Sequence, residues 1–511
     1  MMIQSTQTNK KRITILSLGS RGDVQPFLAM AMSLSEKYNV RMLLPLGYKP
    51  FAEKYGLTIV EVWPINVEDL ARNNKDLRES MMEGDAFKFS QVFAKITQES
   101  ASVVVEKVLQ DFSENPPDLF LVGSLADYFG YYAHYVMKVK IVFIKLSTFA
   151  YNYKHAHFGL PTLPFGLHYF ILKKFCAEFM KVFSLYDEIV NLLGKPRLDS
   201  KISTKQFLKL MEKEITGRSN IKSVYCQSSL FRDILFPIAN PVISCYIGPC
   251  ILDKTQQLNF NKDDENDVFG GLKNFQKIEE FFQKDLQKVP IYVGWGSMLG
   301  NSPENMILLA VTALVELGER AIILGGYADL SMEVLQQATS DPTILSYAQK
   351  NILFVKKASH EYLFPRVKCI VHHGGSGTTQ AALRSGVPSI ITPVFLDQFD
   401  HSYVINQLRI GVGFTRGLKK ISSKDLALAI HSLTNNNDDL IKRCKEVATF
   451  VRNENGIEAL TKMVDHEMQN DTADLFENKM NQDLFAPEIF VISIGVAILS
   501  FIAYLIVVMI K

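Results

Sequence analysis

Short apolar runs separated by amphipathic stretches recur along most of the chain. Residues 13–18 and 40–44 are apolar and strand-like, and residues 27–34 between them suit a helix. Residues 118–122 and 140–146 continue the same alternation. Because strand–helix–strand units place successive strands side by side and parallel, this pattern predicts an α/β domain with helices on both faces of a sheet.

The alternation stops in a polar, acidic stretch and then starts again. We expect residues 252–288 to be a linker between two domains, since this stretch has no strand-like run and begins with clustered polar residues. Apolar runs at 321–324 and 351–355 then alternate with helical segments. A length of 511 residues is too great for one ordinary core. The sequence therefore predicts two α/β domains, at 11–251 and 289–460.

The C-terminal part has a different character. Residues 461–488 form a polar spacer, and residues 489–510 contain no charged residue. At about 1.5 Å per residue such a helix spans a bilayer, so we expect a transmembrane helix over 489–510. The N-terminus lacks a signal-peptide pattern, which favours a tail anchor with the catalytic part in the cytosol. The acidic spacer and the single Lys511 favour the opposite orientation, but one lysine is a small bias.

Composition narrows the possible partners. The chain is 47% hydrophobic and 21% charged with a net charge of +2, and it has no basic stripe, so we expect no nucleic-acid partner. The six cysteines are scattered without a C-x-x-C pair, which favours reduced thiols. His155 and His157 have no third ligand nearby, and the acidic cluster 263–267 resembles a solvated loop. We expect no metal site.

One glycine-rich turn carries most of the candidate chemistry. The apolar residues 369–371 predict a buried strand, and a His pair, two glycines and a helix-compatible run follow it. A glycine turn between a strand and a helix N-terminus presents backbone N–H groups and the positive end of the helix dipole to an anion. His373 and the hydroxyls of Ser376, Thr378 and Thr379 would add donors. From glycine content alone, an empty turn is as plausible as a phosphate site.

The motif His373-Gly-Gly-Ser-Gly-Thr-Thr379, with Gly386-Val-Pro388 and Asp397-Gln398 after it, resembles the donor signature of inverting, UDP-sugar-dependent glycosyltransferases. The doubled His is similar to the sterol 3-beta-glucosyltransferase branch. By this resemblance His373, Gly375, Ser376, Gly377, Thr378 and Thr379 hold the diphosphate, while Asp397 and Gln398 bind the hexose. An Asp/Gln pair offers acceptors and donors that match neighbouring sugar hydroxyls.

Two positions depart from the family pattern. Plant members of the family have a ribose-binding Glu where Ala381 stands, and they have a uracil-stacking Trp near 356–360, where this sequence has none. The ribose and uracil contacts are therefore not assigned. Ser297, in the Gly-x-Gly-Ser loop that follows the first strand of the second half, resembles a further diphosphate contact of the family.

The turn after the first strand also carries the resemblance. Gly19-Ser-Arg-Gly-Asp-Val-Gln-Pro-Phe27 lacks the third glycine of a dinucleotide site, which disfavours a dehydrogenase. It resembles the same glycosyltransferase branch, whose motif implies that Asp23 is the general base for the acceptor hydroxyl. Gly19, Ser20, Arg21 and Gly22 belong to the predicted donor cleft. The structural alternative is that Asp23 caps the helix that follows.

The resemblance covers about residues 12–455 and implies the GT-B fold, in which two Rossmann-like parallel-sheet domains face a cleft. The aromatic stretch 149–185 suits an apolar acceptor pocket, although core packing explains many of its residues. We therefore expect an inverting enzyme that moves a hexose, with glucose as the sugar that the resemblance indicates, from a UDP-sugar to a hydroxyl of a sterol or other lipid. The UDP-sugar is a co-substrate, and no cofactor is expected. The alternatives are a non-sterol acceptor, a sugar-nucleotide epimerase, or a membrane-tethered binding protein without turnover.

Overall fold

The computed structural model describes residues 10–148, 221–235, 244–252, 270–435 and 437–469, together with the isolated residues 159, 163, 164, 167, 168, 171, 209, 210, 213, 219 and 257. The predicted transmembrane segment 489–510 and nearly all of the aromatic stretch 149–185 lie outside these residues. Within the described part of the chain, no helix combines the length and the apolar character needed to cross a membrane.

Two parallel sheets make up the framework. The first sheet has the strand order β3-β2-β1-β4-β5-β6-β7 and the second has the order β10-β9-β8-β11-β12-β13. The strands of the first sheet are β1 Arg12–Leu16, β2 Asn39–Pro45, β3 Thr58–Trp63, β4 Leu119–Gly123, β5 Ile141–Lys145, β6 Ser223–Tyr225 and β7 Ser244–Tyr246. Those of the second are β8 Ile291–Gly294, β9 Ala321–Leu324, β10 Ile352–Val355, β11 Ile370–His372, β12 Ser389–Ile391 and β13 Gly411–Gly413.

Helices cover both faces of each sheet. In the N-terminal domain they are α1 Arg21–Ser35, α2 Lys49–Glu53, α3 Val67–Asn73, α4 Lys75–Glu83, α5 Ala86–Glu99, α6 Ala101–Glu114, α7 Asp127–Tyr135 and α8 Ser229–Leu235. In the C-terminal half they are α9 Leu272–Lys284, α10 Pro303–Leu317, α11 Met332–Ala338, α12 Pro342–Asn351, α13 His360–Leu363, α14 Ser376–Ser385, α15 Asp397–Leu408, α16 Ser423–Thr434, α17 Asp438–Asn453 and α18 Gly456–Gln469.

Alternation along each strand divides the core between the two faces of its sheet. Ile370 packs with Tyr292 and Ile322 on one face of the second sheet, whereas the next residue, Val371, packs with Val293 on the other. Strands that are buried on both faces read as continuous apolar runs, which is why the sequence pattern found them. The α/β prediction with two parallel sheets is confirmed.

Two predicted connecting segments contain helices that pack on the domains. The predicted linker 252–288 contains α9, whose Ile278, Phe281 and Phe282 are buried in the core of the C-terminal domain. The start of the predicted spacer 461–488 belongs to α18, which packs on the N-terminal domain through Leu460 and Val464. Both segments are rich in charged residues, and their apolar positions are spaced for one buried helix face rather than for a strand.

The first helix starts earlier than the sequence pattern predicts. The pattern placed the helix at 27–34 and Asp23 on the preceding loop, but α1 begins at Arg21 and has Pro26 in its second turn. Ser20 is the N-cap, and the Asp23 carboxylate accepts a hydrogen bond from the backbone N–H of Ser20 at 2.8 Å. This capping box starts the helix before Pro26, whereas the sequence pattern identified helical residues only from 27 onwards.

Candidate functional site

The strand order of both sheets reverses between β1 and β4 in the first and between β8 and β11 in the second. Ligands of open α/β sheets bind beyond the carboxyl ends of the strands at such switch points. The turn after β1 and the turns after β8 and β11 meet here, around a cavity of about 440 Å³ between the two domains. The topology thus places the turns that carry the candidate site residues of both domains around one cavity.

Most of the residues that the sequence singled out line this cavity. On the N-terminal side they are Ser20, Arg21, Gly22 and Asp23, and on the C-terminal side they are Ser297, His373, Gly375, Ser376, Gly377, Thr378, Asp397 and Gln398. Gly19 and Thr379 do not line it. Thr379 is fully buried and its hydroxyl donates to the carbonyl oxygen of Gly375, so it closes the first turn of α14 instead of facing the cavity.

Asp23 combines a capping role with an unusual acidity. Its Oδ2 accepts hydrogen bonds from the N–H of Ser20 at 2.8 Å and from the hydroxyl of Ser20 at 3.1 Å. Burial, together with the negative charge of Asp397 across the cleft, raises the pKa of Asp23 to about 6, although the Ser20 hydrogen bonds oppose this rise. Asp23 therefore does cap the helix α1, as the structural alternative predicts. A carboxylate with this pKa is ionised at neutral pH and has increased basicity, as a general base requires.

The imidazole of His373 sits between two glycines. A Cβ on Gly375 would lie 2.3 Å from Nε2 of His373, and a Cβ on Gly296 would lie 3.2 Å from its Cε1. Burial lowers the pKa of His373 to about 3, so the ring is neutral at physiological pH. Its Nδ1 is buried without a hydrogen-bond partner. A neutral imidazole in this position has one N–H to donate to a ligand.

The turn after β11 leads directly into α14, whose N-cap is Gly375. The first four N–H groups of a helix have no partner within the helix, and the dipole adds partial positive charge there. Gly377 lies in this first turn and lines the cavity, and a Cβ on it would meet no atom within 4 Å. The geometry provides an anion site with open space in front of it.

Asp397 and Gln398 begin α15 on the same side of the cavity. Oε1 of Gln398 accepts hydrogen bonds from the N–H groups of Val394 at 2.7 Å and Phe395 at 3.3 Å, so its amide NH2 is the group that can face a ligand. The Asp397 carboxylate accepts a hydrogen bond from the hydroxyl of Ser147 in the N-terminal domain. The predicted sugar-binding pair thus touches both halves of the molecule.

The cavity lining contains more basic than acidic side chains. Arg21, Arg72, Lys356 and Lys357 line the cavity, against Asp23, Glu361 and Asp397. His360 also lines it, stacked on Phe364 with ring centroids 4.6 Å apart, and burial and the nearby Arg21 lower the pKa of His360 to about 4. Residues 356–360, near which the family resemblance places the uracil, therefore line the same cavity. The part of the chain that the structure describes contains no cluster of metal-ligating side chains.

Sequence reasoning missed Ser147, which lines the cavity, and also Thr148 and Gln227, which lie behind the lining residue Ser376. Ser147 and Thr148 follow β5, and Gln227 follows β6. Each is a polar residue at the carboxyl end of a parallel strand, which is the edge where sites form. That position is the signal that could have identified them.

Two family models each match a part of the chain, one in the N-terminal half and one in the C-terminal half. Residues 13–109 match the glycosyltransferase family 28 N-terminal domain, and residues 321–467 match the C-terminal domain of erythromycin biosynthesis protein CIII-like proteins. Among solved structures, the chain is similar to the glycotransferase of kitacinnamycin (TM-score 0.60, 15% identity, covering 90% of this chain and 99% of that one). It is also similar to the calicheamicin glycosyltransferase CalG4 (TM-score 0.58, 13% identity, covering 90% and 98%).

Curated proteins are similar in sequence to most of the chain. A sterol 3-beta-glucosyltransferase of Komagataella phaffii is 26% identical over 471 residues, which are 90% of this chain and 34% of that protein. One of Saccharomyces cerevisiae is 25% identical over 477 residues, which are 91% of this chain and 36% of that protein. The chain thus spans about a third of the length of these relatives. The chain therefore has the two-sheet fold of these glycosyltransferase structures. In sequence it is similar to the sterol 3-beta-glucosyltransferases.

Proposed function

We propose that this chain is an inverting glycosyltransferase that moves a hexose, with glucose as the favoured sugar, from a UDP-sugar to a hydroxyl group of a hydrophobic acceptor such as a sterol. One observation carries the proposal. The Asp23 carboxylate of one domain and the turn from His373 to Thr378 of the other line the same cavity. This arrangement supports a base and a leaving-group site on opposite sides of a reacting sugar.

The reaction is a single in-line displacement. The ionised Asp23 takes the proton of the acceptor hydroxyl as its oxygen forms a bond to the anomeric carbon. The bond from that carbon to the β-phosphate oxygen breaks on the opposite face, and its electron pair leaves with UDP. One displacement inverts the anomeric configuration. Asp23 contributes by removing the proton as the hydroxyl attacks, so that no oxonium ion has to form.

The turn after β11 stabilises the leaving group. Negative charge grows on the diphosphate as the bond breaks, and the N-terminus of α14, which begins at Ser376, the neutral His373 and the hydroxyl of Thr378 are placed to stabilise it. Because fixed N–H donors carry out this neutralisation, we expect the reaction to proceed without a metal ion. Retention of activity in the presence of a chelator is the corresponding test.

Two features support an apolar acceptor. The curated relatives named above are sterol 3-beta-glucosyltransferases. A narrow pocket of about 50 Å³ also opens near the carboxyl ends of β1 and β3 in the N-terminal domain. Its apolar lining includes Leu18, Trp63, Phe93, Leu125 and Phe129. Such a lining favours contact with an apolar group, and a volume of about 50 Å³ accommodates only a small part of a hydrocarbon acceptor.

The proposal includes attachment to a membrane. The uncharged run 489–510 would anchor the chain and keep the catalytic domains in the cytosol, close to lipid acceptors. Protease treatment of intact membrane vesicles tests this arrangement. The catalytic domains should be digested when the cytosolic face is exposed and protected when it is enclosed.

The decisive assay uses the full chain in detergent micelles or lipid vesicles. It measures transfer of radiolabelled sugar from a panel of UDP-hexoses to sterols, other lipids and small hydroxylated apolar compounds, with UDP release measured in parallel. Transfer of glucose to a sterol, with a β-linked product, supports the proposal in full. Transfer to another acceptor, and not to a sterol, would change the acceptor in the proposal. Binding of UDP-hexose without release of UDP would identify a binding protein.

A further inference from the structure

Gln227 lies between the two domains with no exposed surface. It follows β6 of the first sheet, and its side chain reaches the turn after β11 of the second. Its Nε2 lies 3.2 Å from the hydroxyl of Ser376 and 3.1 Å from Nε2 of His401. Its Oε1 accepts hydrogen bonds from the N–H of Thr148 at 2.8 Å and from the hydroxyl of Thr148 at 2.7 Å. One amide therefore joins both domains.

The hydrogen-bond partners determine the orientation of the amide. The N–H of Thr148 can only donate, so the atom that faces it is the carbonyl oxygen of Gln227, and the NH2 group faces Ser376 and His401. The Nδ1 of His401 contacts the carbonyl oxygen of Gly374, so it carries the proton. Nε2 of a neutral His401 is then the acceptor for Gln227. Both amide hydrogens and both acceptors are satisfied.

The same network fixes the anion-binding turn. Ser376 accepts from Gln227 and donates its own hydroxyl hydrogen to the carbonyl oxygen of Leu146. His401 holds the carbonyl of Gly374, the residue just before the N-cap of α14. Gln227 thus acts on the turn at two points, one direct through Ser376 and one through His401.

We propose that Gln227 is a positioning residue that couples closure of the two domains to assembly of the diphosphate site. Gln227 follows β6 of the first sheet and accepts from Thr148, which follows β5, so its two donors join that sheet to Ser376 and His401 when the cleft is closed. The turn then has the orientation that the leaving group needs. This inference rests on the proposed function, and it adds a residue that touches neither substrate nor the reacting atoms.

Two variants of the full chain test this role. Gln227→Met keeps the volume and removes all hydrogen bonds. Gln227→Glu keeps the shape and the acceptor for Thr148, but it places a carboxylate oxygen against the lone pair of His401 Nε2. The matched controls are Gln337→Met and Gln337→Glu, at an exposed position on α11. The measurements are the dissociation constant of UDP by calorimetry, and kcat and KM for the UDP-hexose.

For Gln227→Met we expect UDP to bind about 10-fold more weakly or worse, and we expect kcat to fall because closure no longer orients the turn. For Gln227→Glu we also expect weaker UDP binding and a lower kcat, because the introduced carboxylate keeps the acceptor for Thr148 but has no hydrogen to donate to Ser376 or to His401.

The outcomes separate this inference from the proposed function. Variants that fold and match wild type in UDP affinity, kcat and KM would overturn the role of Gln227 alone. Two variants that both fail to fold would overturn it as well, since a positioning residue is not required for folding. A wild-type chain that neither binds UDP nor releases it would remove the proposed function, and this inference with it.

Discussion

The hydroxyl of Ser147, two residues after the end of β5, donates a hydrogen bond to the carboxylate of Asp397 at the start of α15. These residues belong to different domains, so the bond crosses the cleft and closes it on one side. The carboxylate that we propose for the hexose therefore has a protein hydroxyl as its partner. A sugar hydroxyl has the same donor chemistry and can take the place of Ser147.

Replacing Asp397 by Asn should separate sugar binding from nucleotide binding. The amide is a weaker acceptor than the carboxylate for a hexose hydroxyl, and hydrogen bonds to charged groups contribute about 1.5–3 kcal/mol. We expect KM for the UDP-hexose to rise by roughly 10- to 100-fold, with the affinity for UDP unchanged. Asp438→Asn, also in the first turn of a helix but exposed, is the control. An equal loss of affinity for UDP and for the UDP-hexose would argue against this role of Asp397.

Replacing Gly375 and replacing Gly377 in the anion-binding turn by alanine should have opposite effects on the stability of the fold. Gly375→Ala places a Cβ 2.3 Å from Nε2 of His373, so the imidazole must move and the fold should lose stability. Gly377→Ala meets no atom within 4 Å, so helix propensity should stabilise the ligand-free protein by up to about 1 kcal/mol.

The substitution Gly377→Ala should weaken ligand binding although it stabilises the fold. If a diphosphate approaches the open space in front of α14, the new methyl group obstructs it. Gly377→Ala should therefore be more stable than wild type in thermal unfolding and yet bind UDP more weakly. Unchanged UDP affinity in a stabilised Gly377→Ala protein would place the diphosphate elsewhere.

The sequence predicted this turn because its chemistry is local. A strand, two glycines, hydroxyl residues and a helix follow one another between residues 369 and 385, so no long-range contact is needed to recognise the site. The Asp23 turn is local in the same way. What the sequence could not provide was the contact between the two turns, which depends on how the domains pack.

The acidity of Asp23 predicts the pH dependence of catalysis. Only the ionised carboxylate accepts a proton, and its folded-state pKa is about 6. We expect kcat/KM to be constant above this value and to fall towards 10-fold per pH unit below it. A pH–rate profile between pH 5 and 8 checks this. A profile that stays flat down to pH 5 would show that another group removes the proton.

The same pKa has a consequence for folding. Because the folded-state pKa of Asp23 lies above its ordinary value of 3.8, the folded protein favours the protonated form. The stabilisation is present at acidic pH and is lost as the pH rises through about 6. Asp23→Asn, whose amide oxygen can still accept from Ser20, should exceed wild type in stability at pH 8 by on the order of 1–3 kcal/mol, and it should match wild type at pH 4.

The last described helix, α18, should matter for the stability of the N-terminal domain. Leu460 is fully buried with Val24 and Leu28 of that domain, although it follows the C-terminal domain in the chain. Leu460→Ala should cost about 2–5 kcal/mol through the cavity it leaves. Leu428→Ala, at a position 59% exposed, is the control and should change little. Chemical denaturation followed by fluorescence measures both. A loss below about 1 kcal/mol for Leu460→Ala would contradict this packing.

Leu460 and Gln227 show why part of the architecture could not be predicted. The sequence around Leu460 indicates an amphipathic helix, but nothing in it identifies the surface that the helix covers. Gln227 is a single polar residue after a short strand, and its partners Thr148, Ser376 and His401 are distant in sequence. Both depend on tertiary contacts, which the spacing of residue types along the chain does not determine.

The most direct test of the account is Asp23→Asn in the full chain, since the variant keeps the Ser20 cap and removes only the base. Calorimetry with UDP and a transfer assay with a UDP-hexose and a sterol are run on the same preparation. The account predicts UDP affinity equal to that of wild type and transfer reduced by at least about 100-fold. Transfer at the wild-type rate would contradict it, because the reaction would then proceed without the carboxylate that faces the diphosphate turn across the cleft.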